Sequence, residues 1–185
     1  SFANEVVILN DSTDKISMGK KLLIFKDEKR INFIDIVKKS NDSFKKSDKE
    51  VPYFGFTDSV FWIKFNLKNN SQKKDRWIID FSYPLMDHVT LYLLNTKGEY
   101  EEFKTGYRHS FNTRQLNHRH FIFPFQINFK EEKTVYMRFE NKDRMEIPIT
   151  IWNIQTFYDA DHDEQYVMGI YFGILFFMFL FNLLF

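Results

Sequence analysis

The sequence predicts a mainly β protein: an antiparallel β-sandwich or jelly roll followed by the start of a transmembrane helix. Three observations lead there. From about residue 60 to residue 152, short segments rich in large apolar residues recur every roughly 8 to 15 residues, separated by turn signals with no helical stretch between them. Residues 167–185 are then an almost unbroken hydrocarbon run without a charge, and a spanning helix takes about 20 such residues to cross about 30 Å of bilayer core. Finally, 185 residues allow one domain of ordinary size plus that run.

The elements follow in order. Residues 4–9 and 22–26 are short apolar runs and read as strands. Asn32 followed by Asp35 is an N-cap with an acidic third residue, opening a short helix through Ile34, Ile36 and Val37. Residues 38–50 are rich in Lys, Ser and Asp, with Phe44 as the one apolar anchor, and read as a solvated, mobile loop. Residues 61–67 alternate large apolar and polar side chains, broken only by Trp62, and end in a turn at residues 69–72. Strands follow at residues 77–81, 89–93 and 100–103, with a turn at residues 95–98. Residues 121–129 alternate strongly, which places Phe121, Phe123, Phe125, Ile127 and Phe129 on one face. Residues 135–139 and 147–152 complete the series. The expected division is residues 1–160 as an extracytoplasmic sandwich and residues 161–185 as a juxtamembrane segment and first transmembrane helix.

Within the apolar run, Gly169 and Gly173 are four apart, the small-residue spacing that lets membrane helices approach closely. Asn182 is a lone amide suited to a neighbouring helix. The competing reading, a buried core helix, would require a mostly stranded domain of modest size to enclose a helix that is apolar all round. No Lys or Arg lies between Arg144 and the end, while Asp159, Asp161, Asp163 and Glu164 crowd the approach to the run. A flank lacking Lys and Arg reads as the outer side. Ser1-Phe2-Ala3 has the small residues of a signal-peptidase junction. The location implied is an inner (cytoplasmic) membrane, with residues 1–160 on the periplasmic or extracellular side. The absence of cysteine fits an exported bacterial envelope domain held by packing alone.

A formal net charge of +1 and the lack of a basic stripe with interleaved aromatics give no reason to expect nucleic acid. No Gly-x-Ser-x-Gly elbow, phosphate loop or His-Glu-x-x-His occurs, so neither an enzyme nor a cofactor is expected. Recognition is expected on residues 106–120, a polar stretch between two strong strands. There Arg108, Arg114 and Arg119 could hold a carboxylate or phosphate, Tyr107 and Phe111 could offer a stacking face, and Asn117 and His118 add hydrogen-bonding groups. The alternative is that this loop folds over the sandwich and its arginines pair with the domain's own acids. His118 and His120 share a strand face, but residues 122–125 are wholly apolar and lack the carboxylate a jelly-roll metal site would add, so no metal is expected. Trp62 reads as a packing residue, with Lys64 and Arg138 in the polar phase of their strands.

The order Phe54-Gly55-Phe56-Thr57-Asp58-Ser59-Val60-Phe61-Trp62-Ile63-Lys64-Phe65, then Tyr83-Pro84-Leu85-Met86-Asp87-His88-Val89, then Gly106, then His118-Arg119-His120-Phe121, then Val135-Tyr136-Met137-Arg138 resembles a known ectodomain. It is similar to the type-2 extracellular domain of bacterial seven-transmembrane receptors with diverse intracellular signalling modules. Gly169 to Leu175, with Phe181-Asn182-Leu183, resembles the first membrane helix of those receptors. The resemblance implies a jelly roll that binds carbohydrate or a related small ligand, seven helices, and a cytoplasmic output module such as a cyclase, histidine kinase or phosphatase. Two function classes remain: a ligand sensor, or an interaction module that forms a homodimer or docks another envelope protein.

Overall fold

The structure, a computed structural model, describes residues 5–95 and 98–184. The Ser1-Phe2-Ala3 junction and residues 96 and 97 of the expected turn lie outside the described residues. The strands are β1 (Val6–Leu9), β2 (Lys15–Ser17), β3 (Leu23–Asp27), β4 (Lys45–Lys46), β5 (Tyr53–Phe56), β6 (Val60–Asn69), β7 (Arg76–Phe81), β8 (His88–Leu94), β9 (Tyr100–Thr105), β10 (Phe121–Gln126), β11 (Glu132–Glu140), β12 (Arg144–Glu146) and β13 (Ile149–Asn153). Two α-helices accompany them among the described residues, α1 (Phe33–Lys38) and α2 (Ile154–Leu184).

Two sheets face each other. One runs β10-β7-β13-β2, the other β4-β3-β6-β11-β8-β9, with β1 joined to β6 in parallel at its far end. The chain crosses between them from β6 to β7, β7 to β8, β9 to β10 and β10 to β11. Four strands of each sheet, β2-β13-β7-β10 against β6-β11-β8-β9, therefore interleave in the jelly-roll order. Inward-facing residues such as Phe61, Phe65, Trp77, Phe81, Phe121, Phe123 and Phe139 fill the space between the sheets. The alternating strands of the sequence are these inner strands, because each buries every second residue there.

Both outer faces are also covered. Over the larger sheet, α1 and the chain around it bury Trp62, Tyr92 and Tyr136 together with Ile36 and Phe44. The Asn32 side chain accepts from the Asp35 backbone N–H at 2.9 Å and starts α1 as expected. The Phe33 ring lies face to face with Tyr92 at 3.8 Å. This second cover explains why Trp62 interrupts the alternation: β6 is buried on both faces. The Trp62 indole N–H donates to Asp27 at 3.1 Å.

Burial raises the Tyr136 phenol from the ordinary value of 10.0 to about 12, and burial with a 2.7 Å hydrogen bond to Glu102 raises Tyr92 as well. Both phenols lose their protons more readily in the unfolded chain. Their contribution to stability is therefore complete below about pH 10 and lost as pH rises toward about 12. In an alkaline titration, tyrosinate absorbance from these two rings is expected to appear together with unfolding. Titration of every tyrosine near its ordinary value in a folded chain would contradict this.

Four short strands, β2, β4, β5 and β12, were not evident in the sequence, and three segments differ from expectation. Residues 38–50 are not one solvated loop: Phe44 is 6% exposed and the following residues pair with β3 as β4. The strand ends at Gln126 and the alternation from Phe121 holds through the fully buried Ile127, but residues 128–131 turn, with Glu131 N–H bonded to Asn128 at 3.0 Å. Phe129 is consequently exposed. Finally, α2 begins at Ile154, directly after Asn153 and ahead of the expected juxtamembrane segment at residues 161–185.

Candidate functional site

The start of α2 is fixed by Asn153. Its side chain accepts from the Gln155 N–H at 3.1 Å and so caps the helix, while its own N–H is bonded to Asp14 at 2.9 Å. Asn153 is paired with Trp77 at the beginning of β7. From there α2 runs back along the outer face of the smaller sheet. Phe157, 6% exposed, packs on Ile78 and Ile122, with Leu116, Trp152 and Ile154 around it. One turn later Asp161 reaches His118, just ahead of Phe121, which pairs with Phe81 at the end of β7. The helix thus passes over β7 and β10 and meets the loop ahead of β10 before leaving the sandwich.

The expected recognition stretch lies against this helix. Its beginning is pinned: Gly106 has a φ of +145°, and the Tyr107 and Arg108 N–H groups bond to the carbonyls of Met86 and Asp87 at 2.7 and 3.2 Å. Arg108 Nε donates to Asp87 at 3.0 Å. His109 Nε2 and His88 Nδ1 are 2.9 Å apart; burial first, then the neighbouring His88, holds the His109 pKa below the usual histidine value. Arg114 turns inward between the rings of Phe111 and Phe121, each 4.6 Å from its guanidinium, and donates to the carbonyls of His118 and Arg119. That bracket shapes the segment that meets α2.

At the contact, the His118 Nδ1 accepts from the His120 N–H at 3.0 Å, so a neutral ring carries its proton on Nε2. Nε2 is 3.1 Å from Asp161 Oδ1 and donates to it. Arg119 pairs with Glu164, and His120 lies 3.1 Å from Asp80 on β7. The His118 ring also meets Phe157 edge-on at 5.4 Å. Both partners of the Arg119 pair are half exposed, so that pair is worth about 0–1 kcal/mol. Burial of the Phe157 ring stabilises the junction more, by an amount on the order of 2–3 kcal/mol.

Of the six residues singled out in the sequence, Arg114, His118 and Arg119 are thus brought together at the helix, and Arg108 is held by Asp87. Tyr107 is 63% exposed and Asn117 is exposed beside them. Sequence reasoning missed Phe157 and Asp161 as members of this junction. The acidic residues ahead of the apolar run were the available signal, but their spacing opposite His118 and Arg119 required the fold. His118 and His120 contact different carboxylates, and no group of three or more metal-ligating side chains occurs among the described residues.

Beyond Glu164 the helix is exposed and uncharged. It is the one helix among the described residues that is long and apolar enough to cross a membrane. With residues up to 164 lying on the sandwich, residues 165–184 supply about 30 Å of helix, the thickness of a bilayer core. Gly169 and Gly173 have no neighbour within 4 Å of a Cβ position. The Asn182 amide donates to Met178 at 2.8 Å, within its own helix.

No curated protein matches the chain significantly. Among solved structures, a Kluyveromyces marxianus β-glucosidase in complex with glucose is 6% identical over 71% of this chain, with a TM-score of 0.44; the match spans 15% of that enzyme. Two Clostridium perfringens structures are comparable: CpGH89CBM32-6, 11% identical over 74% of this chain and 97% of that one at a TM-score of 0.31, and CBM32-3 from a family 31 glycoside hydrolase, 10% identical over 75% and 94% at 0.30. The family profile described as 7TMR-DISM extracellular 2 matches residues 19–153, from the turn before β3 through the last strand of the sandwich. The chain, a jelly roll leading without a break into a long apolar helix, belongs to the 7TMR-DISM extracellular 2 family.

Proposed function

We propose that the sandwich is the extracytoplasmic sensing domain of a bacterial transmembrane signalling receptor, that it takes carbohydrate or a related small ligand, and that α2 relays its state across the inner membrane to a cytoplasmic output module. The observation that carries this reading is the docking of residues 154–164 of α2 on the smaller sheet through Phe157, beneath the loop that holds His118 and Arg119. A helix attached by a flexible linker could report only proximity. A helix packed against β7 and β10 must shift or release when those strands or the loop move. Family membership and the uncharged span of residues 165–184 support the extracytoplasmic placement.

Tyr107, Arg108 and Asn117 are the exposed groups of the loop that a ligand would engage. Arg114, His118 and Arg119 would pass the change to Asp161 and Glu164. The role is binding rather than catalysis. The test is a flexible insert of about four Gly and Ser residues between Ala160 and Asp161 in the intact receptor. Ligand binding is expected to persist while the output ceases to respond. An unchanged response would refute mechanical relay through the docked helix.

A further inference from the structure

A second concavity, remote from the loop, lies between the β3–β4 edge of the larger sheet and β5. Its volume is about 560 Å³, within the range of small-ligand sites. Four lysines line it, Lys26, Lys45, Lys46 and Lys49, against one carboxylate, Asp48. Lys26 is paired with Glu28 and Lys46 with Glu5. Lys45 and Lys49 have no carboxylate partner among the described residues, so their charge is available to a ligand. Beside them Tyr53 and Phe54 are 43% and 39% exposed. The Phe54 ring rests on buried Phe61 at 4.3 Å between centroids, which fixes its orientation.

The wall carrying the lysines is held in place. Ser47 N–H bonds to Leu22 at 3.0 Å, and Lys49 N–H bonds to the Ser47 hydroxyl at 3.2 Å. The Glu50 carbonyl sits so close to Gly19 that a Cβ there would meet it at 1.8 Å. Beyond it, Ile147 N–H bonds to Pro52 at 2.9 Å. A preformed wall lowers the ordering cost of binding. Lysines on an edge strand also guard against strand addition. That duty calls for charge alone, and it does not require Tyr53 and Phe54 to stay 43% and 39% exposed in the same concavity, where Phe54 packs on Phe61 and Arg144 lies over Tyr53 at 5.4 Å.

We propose that this groove binds an anionic saccharide, a uronate or a phosphorylated sugar, with a ring face on Phe54 and Tyr53 and its charge met by Lys45 and Lys49. Lysine suits this role as a compact point charge, without the bidentate geometry that arginine would impose. The saccharide class rests on the sensing role proposed above; the sign of the charge and the position come from the groove itself.

The test uses the chain in nanodiscs of zwitterionic lipid, titrated with tetragalacturonate, glucose 6-phosphate, inorganic phosphate and neutral maltotetraose. At least one acidic sugar is expected to bind about tenfold more tightly than maltotetraose, and which of the two it is separates the uronate from the phosphate source. Its affinity is expected to fall severalfold when salt rises from about 50 to about 500 mM. Lys45→Gln with Lys49→Gln is expected to weaken it about tenfold, and Phe54→Ala to weaken the sugar while leaving inorganic phosphate unaffected. Lys45 and Lys49 are exposed, so loss of binding in a variant that melts like the parent is not a folding effect. Equal affinity for maltotetraose, no response to the lysine substitutions, or inorganic phosphate binding as tightly as the acidic sugars would overturn the proposal. Acid-sugar binding of the expected kind, in a receptor whose signalling survives the flexible insert, would refute the relay and leave the groove intact.

Discussion

Replacing Phe157 with alanine is expected to lower the unfolding free energy by about 3–4 kcal/mol and to free the first turns of α2 from the sandwich. The ring is 6% exposed and fills a cluster with Ile78 and Ile122, whose own exposures are 0% and 1%. Its removal forfeits the transfer energy of the ring and leaves a gap roofed only by the edge of His118, Trp152 and Leu116. The ion pairs nearby are too exposed to compensate: Arg119→Ala is expected to cost no more than about 1 kcal/mol. Phe157→Leu, which keeps most of the volume, should recover over half of the loss. Urea unfolding of the detergent-solubilised chain, followed by tryptophan fluorescence, checks the series, because Trp77 and Trp152 report on the sheet beneath the helix. Equal stability of the parent and Phe157→Ala would mean that the docking contributes nothing.

Gly106→Ala is expected to cost a similar amount, about 3 kcal/mol, for a different reason. At a φ of +145° an L side chain is strained wherever it sits. Here a Cβ would also fall 2.2 Å from the Asp87 carbonyl oxygen and 2.9 Å from the His88 Cα, both backbone atoms. Neither can yield cheaply. The Asp87 carbonyl accepts the Arg108 N–H, its side chain holds Arg108 and the Lys142 N–H, and His88 opens β8. Relief would therefore come by lifting the loop, which should release Arg108 from Asp87 and loosen the segment that reaches α2. Chemical denaturation with amide chemical shifts of residues 107–120 checks both parts. A variant with unchanged stability and unchanged loop shifts would contradict the close approach.

Much of this architecture was legible in the sequence because the inner strands bury one face. The alternation of residues 61–67 and the apolar stretches around Trp77, Leu91, Phe123 and Met137 correspond to β6, β7, β8, β10 and β11. Their interleaved order came from the resemblance and could not be read from periodicity. β2, β4, β5 and β12 were hidden because two to four residues are too few to show a period, and Tyr53, Phe54 and Phe56 in β5 are exposed. The second cover over Trp62, Tyr92 and Tyr136 was equally hidden, since it depends on Phe33 returning from α1 across the sheet. At the candidate site, the polar character of residues 106–120 stood out, and so did the choice between a ligand and the domain's own acids as partners for its arginines. Which acids lay opposite did not. Asp161 and Glu164 approach His118 and Arg119 only because α2 starts directly after Asn153 and doubles back over β7, and the residues before the apolar run look like a solvated segment in one dimension.

Hydrogen exchange of the chain in nanodiscs measures most directly whether the sandwich and the first three turns of α2 form one cooperative unit. The amides of residues 157–164 are expected to open with the same free energy as those of β7 and β13, and to lose that protection in Phe157→Ala while residues 170–182 stay protected by lipid. Free exchange of residues 157–164 in the parent chain, beside a fully protected sandwich, would show that the helix hangs on a flexible tether and that nothing in the jelly roll steers it.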